Sequence, residues 1–469
     1  MTGGGELLVR GGTVVTDSWS APADVLVRDG RIAALIEPGT GPRGLDEVDA
    51  AGKLVMPGGV DPHCHVGFTS GAYTTRDGYF QATAAAAFGG TTTIVDFAIP
   101  RPGESPAQAV ERQRAKAGQG VCDSALHACV TDWDETIPEQ LRSFVADGVV
   151  TVKMFTTYRG ETMADEDTIL RVMTHLRDLG GMAVIHCESN HIIEDVQHQC
   201  AGGGHIGAGD HHRTRPELAE DAAVAGVLAI AESVHAPVYF VHQSTPAAVD
   251  QVVRARGRGI RAFTEAVTHH LVLDESKYAE AHPERFVCCP PLRSAATVRE
   301  LGVRLMAGEV TTVGSDHCCY DTAQKLERKD DVRHMPNGLP GVETRMPVLF
   351  SEFVVQRGLP AQRFVAMTSA NPARLNGLYP RKGSLMPGAD ADIVVWDPAA
   401  VRTVDNADLH MATDYSPFDG LAVRGAVSTV VVGGRVVVHQ GELLDATPRG
   451  RHLRASQLRR PEVPAPAAI

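Results

Sequence analysis

The chain has 469 residues, of which 43% are hydrophobic, so it is long enough to bury one large core and to carry a smaller second domain. This hydrophobic fraction excludes a disordered chain. The formal net charge of −13 argues against nucleic acid or an anionic membrane as a partner, because both are bound by basic surfaces.

The two ends of the chain carry short segments of alternating polarity, typical of β-strands. They are Glu6–Arg10, Asp24–Arg28 and Arg31–Ile36 near the start, and Asp392–Trp396 and Val427–Val438 near the end. Gly-Gly, Asp-Gly and Pro-Gly turns separate the early segments. We expect residues 1–55 and 381–450 to form one β-sandwich domain, followed by a C-terminal tail over 451–469 that is mobile in its Pro/Ala-rich part from Arg459.

Residues 56–380 alternate apolar strands with helical stretches such as Tyr79–Phe88 and Ala219–Ser233. The eight predicted strands are Lys53–His65, Thr91–Phe97, Ser124–Val130, Val150–Phe155, Met182–His186, Pro237–His242, Arg261–Glu265 and Thr311–Asp316. Eight such alternations over about 300 residues favour an α/β fold of the (β/α)8 TIM barrel type. The structural alternative is a doubly wound open sheet.

Five of these strands end in residues that bind metals. They are His63, His65, Lys153, His186, His242 and Asp316. The C-terminal ends of all barrel strands meet on one face, where active sites are built. One such histidine is more often structural, but a set of six predicts a shared site, and imidazole and carboxylate ligands suit Zn²⁺ or a similar divalent ion.

Lys153 is the unusual member of the set, because a cationic ammonium group repels a metal. One interpretation is a strand-end lysine paired with an acid. The other is a lysine converted by carbon dioxide to a carbamate, which is an oxygen ligand. The residues alone do not choose between them.

Apolar runs, the N-terminal sequence and the cysteines indicate the cellular compartment. No apolar run reaches the roughly 18 residues of a membrane span, and the N-terminus lacks the pattern of a secretion signal. The nine cysteines are an odd number, two pairs of them are adjacent, and no C-x-x-C occurs. We therefore expect reduced cysteines, a cytoplasmic protein and no structural zinc site.

Several short motifs, taken in order, resemble the amidohydrolase superfamily and within it the cyclic amidases, dihydropyrimidinase and D-hydantoinase. The resemblance covers about residues 6–445. The motifs are Asp61-Pro-His-Cys-His65, Phe88-Gly-Gly-Thr-Thr-Thr-Ile-Val-Asp-Phe97, Lys153-Met-Phe-Thr-Thr-Tyr-Arg-Gly160, Val241-His242, Pro290-Pro-Leu-Arg293, Gly314-Ser-Asp-His-Cys318 and Pro336-Asn-Gly-Leu-Pro-Gly-Val-Glu-Thr-Arg-Met346.

The resemblance implies a binuclear, metal-dependent hydrolase that opens the cyclic amide of 5,6-dihydropyrimidines or 5-substituted hydantoins to N-carbamoyl amino acids. It implies two divalent ions, expected to be Zn²⁺, bridged by carboxylated Lys153. The first would be held by His63, His65, Lys153 and Asp316, and the second by Lys153, His186 and His242. Asp316 would also transfer the proton, and Tyr158 would donate to the oxyanion; the alternative for Tyr158 is a packing role.

The substrate contacts implied by the resemblance are Tyr158, Cys289 and Asn337. Relatives usually have serine where this chain has Cys289, which matters only if the hydroxyl group rather than the backbone binds the ring. The segment from His186 to His191 and the loop over residues 66–78 also depart from the usual pattern. That loop forms the wall facing the exocyclic substituent in this branch, so substituent preference stays open.

Alternative functions share the fold. Dihydroorotase usually has an arginine where this chain has Gly67, and no Glu-Pro-Gly-Arg sequence follows, which argues against dihydroorotase and allantoinase. A non-catalytic scaffold would have lost ligands that are present here. Acyclic amides or guanidine-type bases remain possible substrates. By resemblance we expect a homo-oligomer, a tetramer or a dimer.

Other histidines receive simpler interpretations. His205, His211 and His212 lie in a glycine-rich stretch and are expected to be solvated loop residues. His269 and His270 are expected either at the pocket mouth or as polar residues at the start of a helix.

Overall fold

The computed structural model describes residues 5–458. Its strands are β1 Leu7–Val15, β2 Ser20–Arg28, β3 Arg31–Ile36, β4 Asp46–Asp49, β5 Leu54–Pro57, β6 Gly59–Cys64, β7 Thr69–Ser70, β8 Tyr73–Thr74, β9 Thr91–Ala98, β10 Asp123–Cys129, β11 Thr151–Phe155, β12 Met182–His186, β13 Val238–Phe240, β14 Ala262–Val267, β15 Thr312–Gly314, β16 Ile393–Thr403, β17 Ala422–Val432, β18 Arg435–His439 and β19 Glu442–Leu443.

The α-helices of the same residues are α1 Tyr79–Phe88, α2 Pro106–Arg114, α3 Ile137–Ala146, α4 Glu166–Leu179, α5 Asn190–Ala201, α6 His211–Thr214, α7 Glu217–Val234, α8 Pro246–Gly257, α9 Thr268–Val272, α10 Ala295–Met306, α11 Thr322–Leu326, α12 Arg345–Leu349, α13 Ala361–Val365 and α14 Asn371–Leu375. Two π-helical stretches, Phe350–Gln356 and Ala366–Ala370, continue α12 and join α13 to α14. In the described part of the chain, no helix combines the length and apolar character needed to span a membrane.

The barrel predicted from the sequence is confirmed. Its sheet has the order β6-β9-β10-β11-β12-β13-β14-β15, and neighbouring strands are parallel. A parallel bridge between Cys64 and His317 brings the end of the last strand back to the first. The strands are buried along their whole length, as expected when helices cover a parallel sheet and side chains fill its interior.

Both ends of the chain contribute to a second sheet, as predicted, and the structure shows that this sheet is mixed. Its order is β19-β18-β17-β16-β5-β1-β2-β3, with β4 parallel to β1. The early and late segments meet where β16 pairs antiparallel with β5. Buried valines, isoleucines and alanines from both ends share one core, which explains why segments more than 300 residues apart stay together.

One predicted strand, Lys53–His65, is divided in the structure. Its first half, β5, belongs to the mixed sheet and its second half, β6, to the barrel. Between them Gly58 donates its N–H to Asp392 O at 2.9 Å, and a side chain at this position would overlap Thr92. The chain thus passes from one sheet to the other at a position that only glycine fits.

The segment after the mixed sheet lies against the barrel as far as residue 458. The N–H groups of Leu453, Ala455 and Leu458 donate to backbone carbonyl groups of Ser124, Gly148 and Gly180, at 2.7, 2.9 and 2.7 Å. Leu453 and Leu458 are buried. The mobility predicted from Arg459 onward concerns residues outside the described range.

Candidate active site

Three of the six predicted ligand residues form one cluster at the C-terminal face of the barrel. His63 Nε2 and His65 Nε2 lie 3.0 and 3.3 Å from the same atom, Asp316 Oδ1. His63 near the end of β6 and His65 just after it place their rings 5.3 Å apart between centroids, and the turn after β15 brings the carboxylate to them. A ligand atom from each residue lies within 4.8 Å of those of the other two.

The other three residues adjoin this cluster. The His186 and His242 rings are 4.4 Å apart between centroids, and the His63 and His242 rings are 5.3 Å apart. The Lys153 Nζ lies 4.8 Å from the Phe97 ring and 4.7 Å from the Phe155 ring. In residues 5–458, Lys153 forms no ion pair within 4.0 Å, but Asp316 and Glu265 are close enough for their charges to raise its pKa against the larger effect of burial.

The electrostatics favour neutral nitrogen donors at three of the four histidines, whereas at His63 the carboxylates of Asp316 and Glu265 outweigh burial and raise the pKa to about 9. Burial lowers the pKa of His65 to about 4, and it also lowers the pKa of His186 and, more strongly, of His242. Burial lowers the pKa of Lys153 to about 8, which increases the neutral amine fraction that can react with carbon dioxide. For Asp316, burial is outweighed by the neighbouring histidines, which hold its pKa well below the usual range.

One buried nitrogen atom is placed to bind a metal ion. His63 Nε2 forms no hydrogen bond with the described residues, although it is buried. An unpaired buried polar atom is costly, and coordination would satisfy His63 Nε2, which already faces Asp316. The residues present therefore fit a divalent cation.

Two carboxylates that we did not predict orient His63 and His186. Glu265 Oε1 accepts from His63 Nδ1 at 2.6 Å, and Glu188 Oε2 accepts from His186 Nε2 at 2.7 Å. Each bond fixes the tautomer and leaves the opposite nitrogen as the donor to a metal. Burial opposes ionisation of Glu188, but the Arg215 guanidinium holds its pKa at about 2. Glu265 ends a predicted strand, a position that could have revealed it; nothing comparable marked Arg215.

We expect Glu188→Gln to weaken metal binding at His186 by about 10–100-fold, because a neutral amide supports the imidazole less well than a carboxylate. Metal retained after dialysis against graded chelator measures this change. Glu232→Gln, which alters an exposed ion pair with Arg258, is the control. Equal metal retention in wild type and Glu188→Gln would contradict the orienting role.

Three residues of the site have left-handed backbone conformations that residues other than glycine rarely adopt. Their φ angles are +70° for Tyr158, +39° for His242 and +50° for Asp316. Such conformations cost about 1–3 kcal/mol each and persist where the surrounding structure imposes them. Each turns a side chain at the end of a barrel strand toward the common centre.

Five of the six predicted ligands, His65, Lys153, His186, His242 and Asp316, border a cavity of about 720 Å³. Tyr158, Cys289 and Asn337, the predicted substrate contacts, line it together with the hairpin loop that includes Phe68 and Tyr73. Burial raises the pKa of Tyr158 well above its usual value, so the phenol keeps its proton and can donate it in a hydrogen bond. The Arg215 guanidinium lies 5.1 Å from the Tyr158 ring.

The interpretation of His211 as a solvated loop residue is wrong. Its side chain is buried, donates from Nε2 to Cys288 O at 2.7 Å and borders the cavity. The glycine-rich stretch before it folds into a short turn that carries it inward. His205 is exposed as predicted, and His269 and His270 lie buried at the start of α9, the second of the two placements considered for them.

Comparisons with known proteins agree with this arrangement. The model of the amidohydrolase family matches residues 54–437. The dihydropyrimidinase of Rattus norvegicus is 38% identical over 93% of this chain and 86% of its own length, and the D-hydantoinase of Streptomyces coelicolor is 37% identical over 93% and 95%. The crystal structure of dihydropyrimidinase from Brevibacillus agri has a TM-score of 0.94 at 35% identity, covering 97% of this chain and 100% of that one. The chain therefore belongs to the amidohydrolase family, in its dihydropyrimidinase and D-hydantoinase branch.

Proposed function

We propose that this protein is a metal-dependent cyclic amidase. It opens 5,6-dihydropyrimidines or 5-substituted hydantoins by hydrolysis of a ring amide, giving N-carbamoyl amino acids. The observation that carries the proposal is the convergence of His63, His65 and Asp316 within 4.8 Å at the end of the barrel, beside a cavity large enough for such a ring. The full-length similarity to dihydropyrimidinase and D-hydantoinase supports the reaction class.

The proposed cofactor is a pair of divalent ions, with Zn²⁺ as the favoured metal. His63, His65 and Asp316 would hold one ion and His186 and His242 the other, with Lys153 as a carbamate between them. When bound, two such ions supply a water nucleophile at neutral pH and polarise the amide carbonyl. The low pKa that burial gives Lys153 supports carbamate formation.

Asp316 and Tyr158 have different proposed roles in hydrolysis. As the water oxygen bonds to the carbonyl carbon, Asp316 accepts the water proton. Tyr158 donates a hydrogen bond to the oxygen that becomes negative. The carbon–nitrogen bond then breaks, and Asp316 passes the proton to the leaving nitrogen, which makes a poor leaving group acceptable.

Substrate contacts are proposed at Tyr158, Cys289 and Asn337, which line the cavity. The imide or ureide edge of the ring has alternating N–H and C=O groups, which backbone groups at Cys289 and Asn337 would bind. If the backbone makes the contact, cysteine replaces serine without loss. The hairpin loop with Phe68 and Tyr73 would face the exocyclic substituent.

Ring opening by purified protein loaded with zinc in the presence of bicarbonate tests the proposal. Dihydrouracil, hydantoin, 5-phenylhydantoin, allantoin and dihydroorotate are compared, and bound metal is counted in the same sample. We expect turnover of dihydrouracil or a hydantoin with about two metals per chain. Turnover of dihydroorotate or allantoin alone would favour those activities instead, and metal without turnover of any ring would contradict the proposed substrates.

We also propose, from the resemblance of the sequence to this branch, that the chain assembles as a homodimer or homotetramer.

A further inference from the structure

A buried lysine beside the cavity has no role in the mechanism above. Lys325 lies in α11, a short helix that begins after Asp321, and its side chain is completely buried. Its Nζ donates to Val287 O at 2.9 Å and to Pro336 O at 3.2 Å. A fully buried lysine is rare without a charged partner, because an ammonium group loses its hydration on burial.

The surroundings of Lys325 offer little compensation for its charge. Among residues 5–458, no carboxylate lies within ion-pair distance of Nζ, and the titratable groups that act on it electrostatically include Cys288, Cys289, Cys318, Glu284 and His211. Burial accordingly lowers the pKa of Lys325 to about 8. Two backbone carbonyl groups are its hydrogen-bond partners, so Lys325 connects the chain segments to which they belong.

The two carbonyl groups belong to the two segments that carry the proposed ring contacts. Val287 precedes Cys289 by two residues, and Pro336 precedes Asn337; Cys289, Pro336 and Asn337 all border the cavity. One further backbone bond joins the segments, from Gly338 N to Val287 O at 3.1 Å. Lys325 therefore spans two stretches of chain that few other polar contacts connect.

We propose that Lys325 is a positioning residue that sets the distance between the segments 287–289 and 336–338, and so the spacing of the backbone groups that receive the substrate ring. This inference rests on the proposed function. A ring bound by two backbone segments requires both at a fixed separation, and the loss of contacts made equally to the bound ring and to the transition state raises KM without changing kcat. Loss of the two hydrogen bonds from Lys325 should therefore weaken ring binding more than it slows the chemical steps at the metal ligands.

The test compares Lys325→Met with the control Lys329→Met, which changes an exposed lysine four residues later. For the ring that wild type turns over best, we expect KM to rise by about tenfold or more in Lys325→Met, with kcat changed by less than about threefold. Bound metal should stay at the wild-type level. Amide hydrogen exchange should become faster at Gly338, whose N–H bonds across the two segments.

Lys325→Arg, which keeps the charge and the donors, should recover part of the lost affinity. The inference is overturned if Lys325→Met has wild-type KM and wild-type exchange at Gly338, or if kcat and metal content fall while KM does not change. It is also overturned if neither variant folds, because Lys325 is then needed for the whole fold. Absence of turnover by wild type would instead contradict the proposed function. Hydrogen exchange at Gly338 would still show whether Lys325 holds the two segments together.

Discussion

Replacement of Lys153 by alanine should abolish most activity, with a loss in kcat/KM of at least about 10³-fold, or about 4 kcal/mol of transition-state stabilisation. Lys153 lies on β11 with its Nζ against the Phe97 and Phe155 rings, and its charge acts on His65, His186 and His242. Alanine removes the proposed oxygen bridge and leaves the two halves of the site unconnected. Turnover and bound metal, measured in zinc and bicarbonate, test this expectation.

Two experiments distinguish loss of the bridging group in Lys153→Ala from a folding defect. Lys329→Ala, at an exposed position, should behave as wild type. A short carboxylate such as propionate, added to Lys153→Ala, can enter the space left by the side chain and supply two oxygen atoms, so it should restore part of the activity. Full turnover by Lys153→Ala without added carboxylate would refute the bridging role, whatever the metal content.

The barrel could be predicted because its strands are local, apolar and separated by helices. Met182–His186 and the helix Tyr79–Phe88 have the predicted bounds, and Thr91–Ala98 differs by one residue. The passage from β5 to β6 could not be predicted. Both halves form one apolar run, and the role of Gly58 depends on Thr92 and Asp392, which are distant in sequence.

The candidate site, too, could be predicted only in part. The six proposed ligands lie in the C-terminal parts of barrel strands or directly after them, so strand position alone predicts that they meet. The residues that orient them depend on contacts between elements. Arg215, for example, reaches Glu188 from the segment after α6, and His211 enters the cavity wall because its turn folds inward. No local pattern in the glycine-rich stretch indicates that direction.

Tyr158→Phe should lower kcat by about 10²–10³-fold, the usual effect of removing one donor to an oxyanion. Metal content should not change, because the phenol is not among the proposed ligands. The side chain is held for this task by a left-handed backbone conformation with φ of +70° and by packing near the His186 ring, 5.5 Å away between centroids. Phenylalanine keeps that packing and removes only the hydroxyl group.

The comparison of kcat with KM decides between the two roles considered for this tyrosine. A donor that acts mainly on the oxyanion lowers kcat and kcat/KM together, whereas a packing residue or a ground-state contact with the ring changes KM. Tyr379→Phe removes a hydroxyl group that contacts the Met386 sulfur away from this cavity, and it serves as the control. If Tyr158→Phe retains wild-type kcat with full metal, the phenol is a packing group, and stabilisation of the oxyanion must come from the metal centre alone.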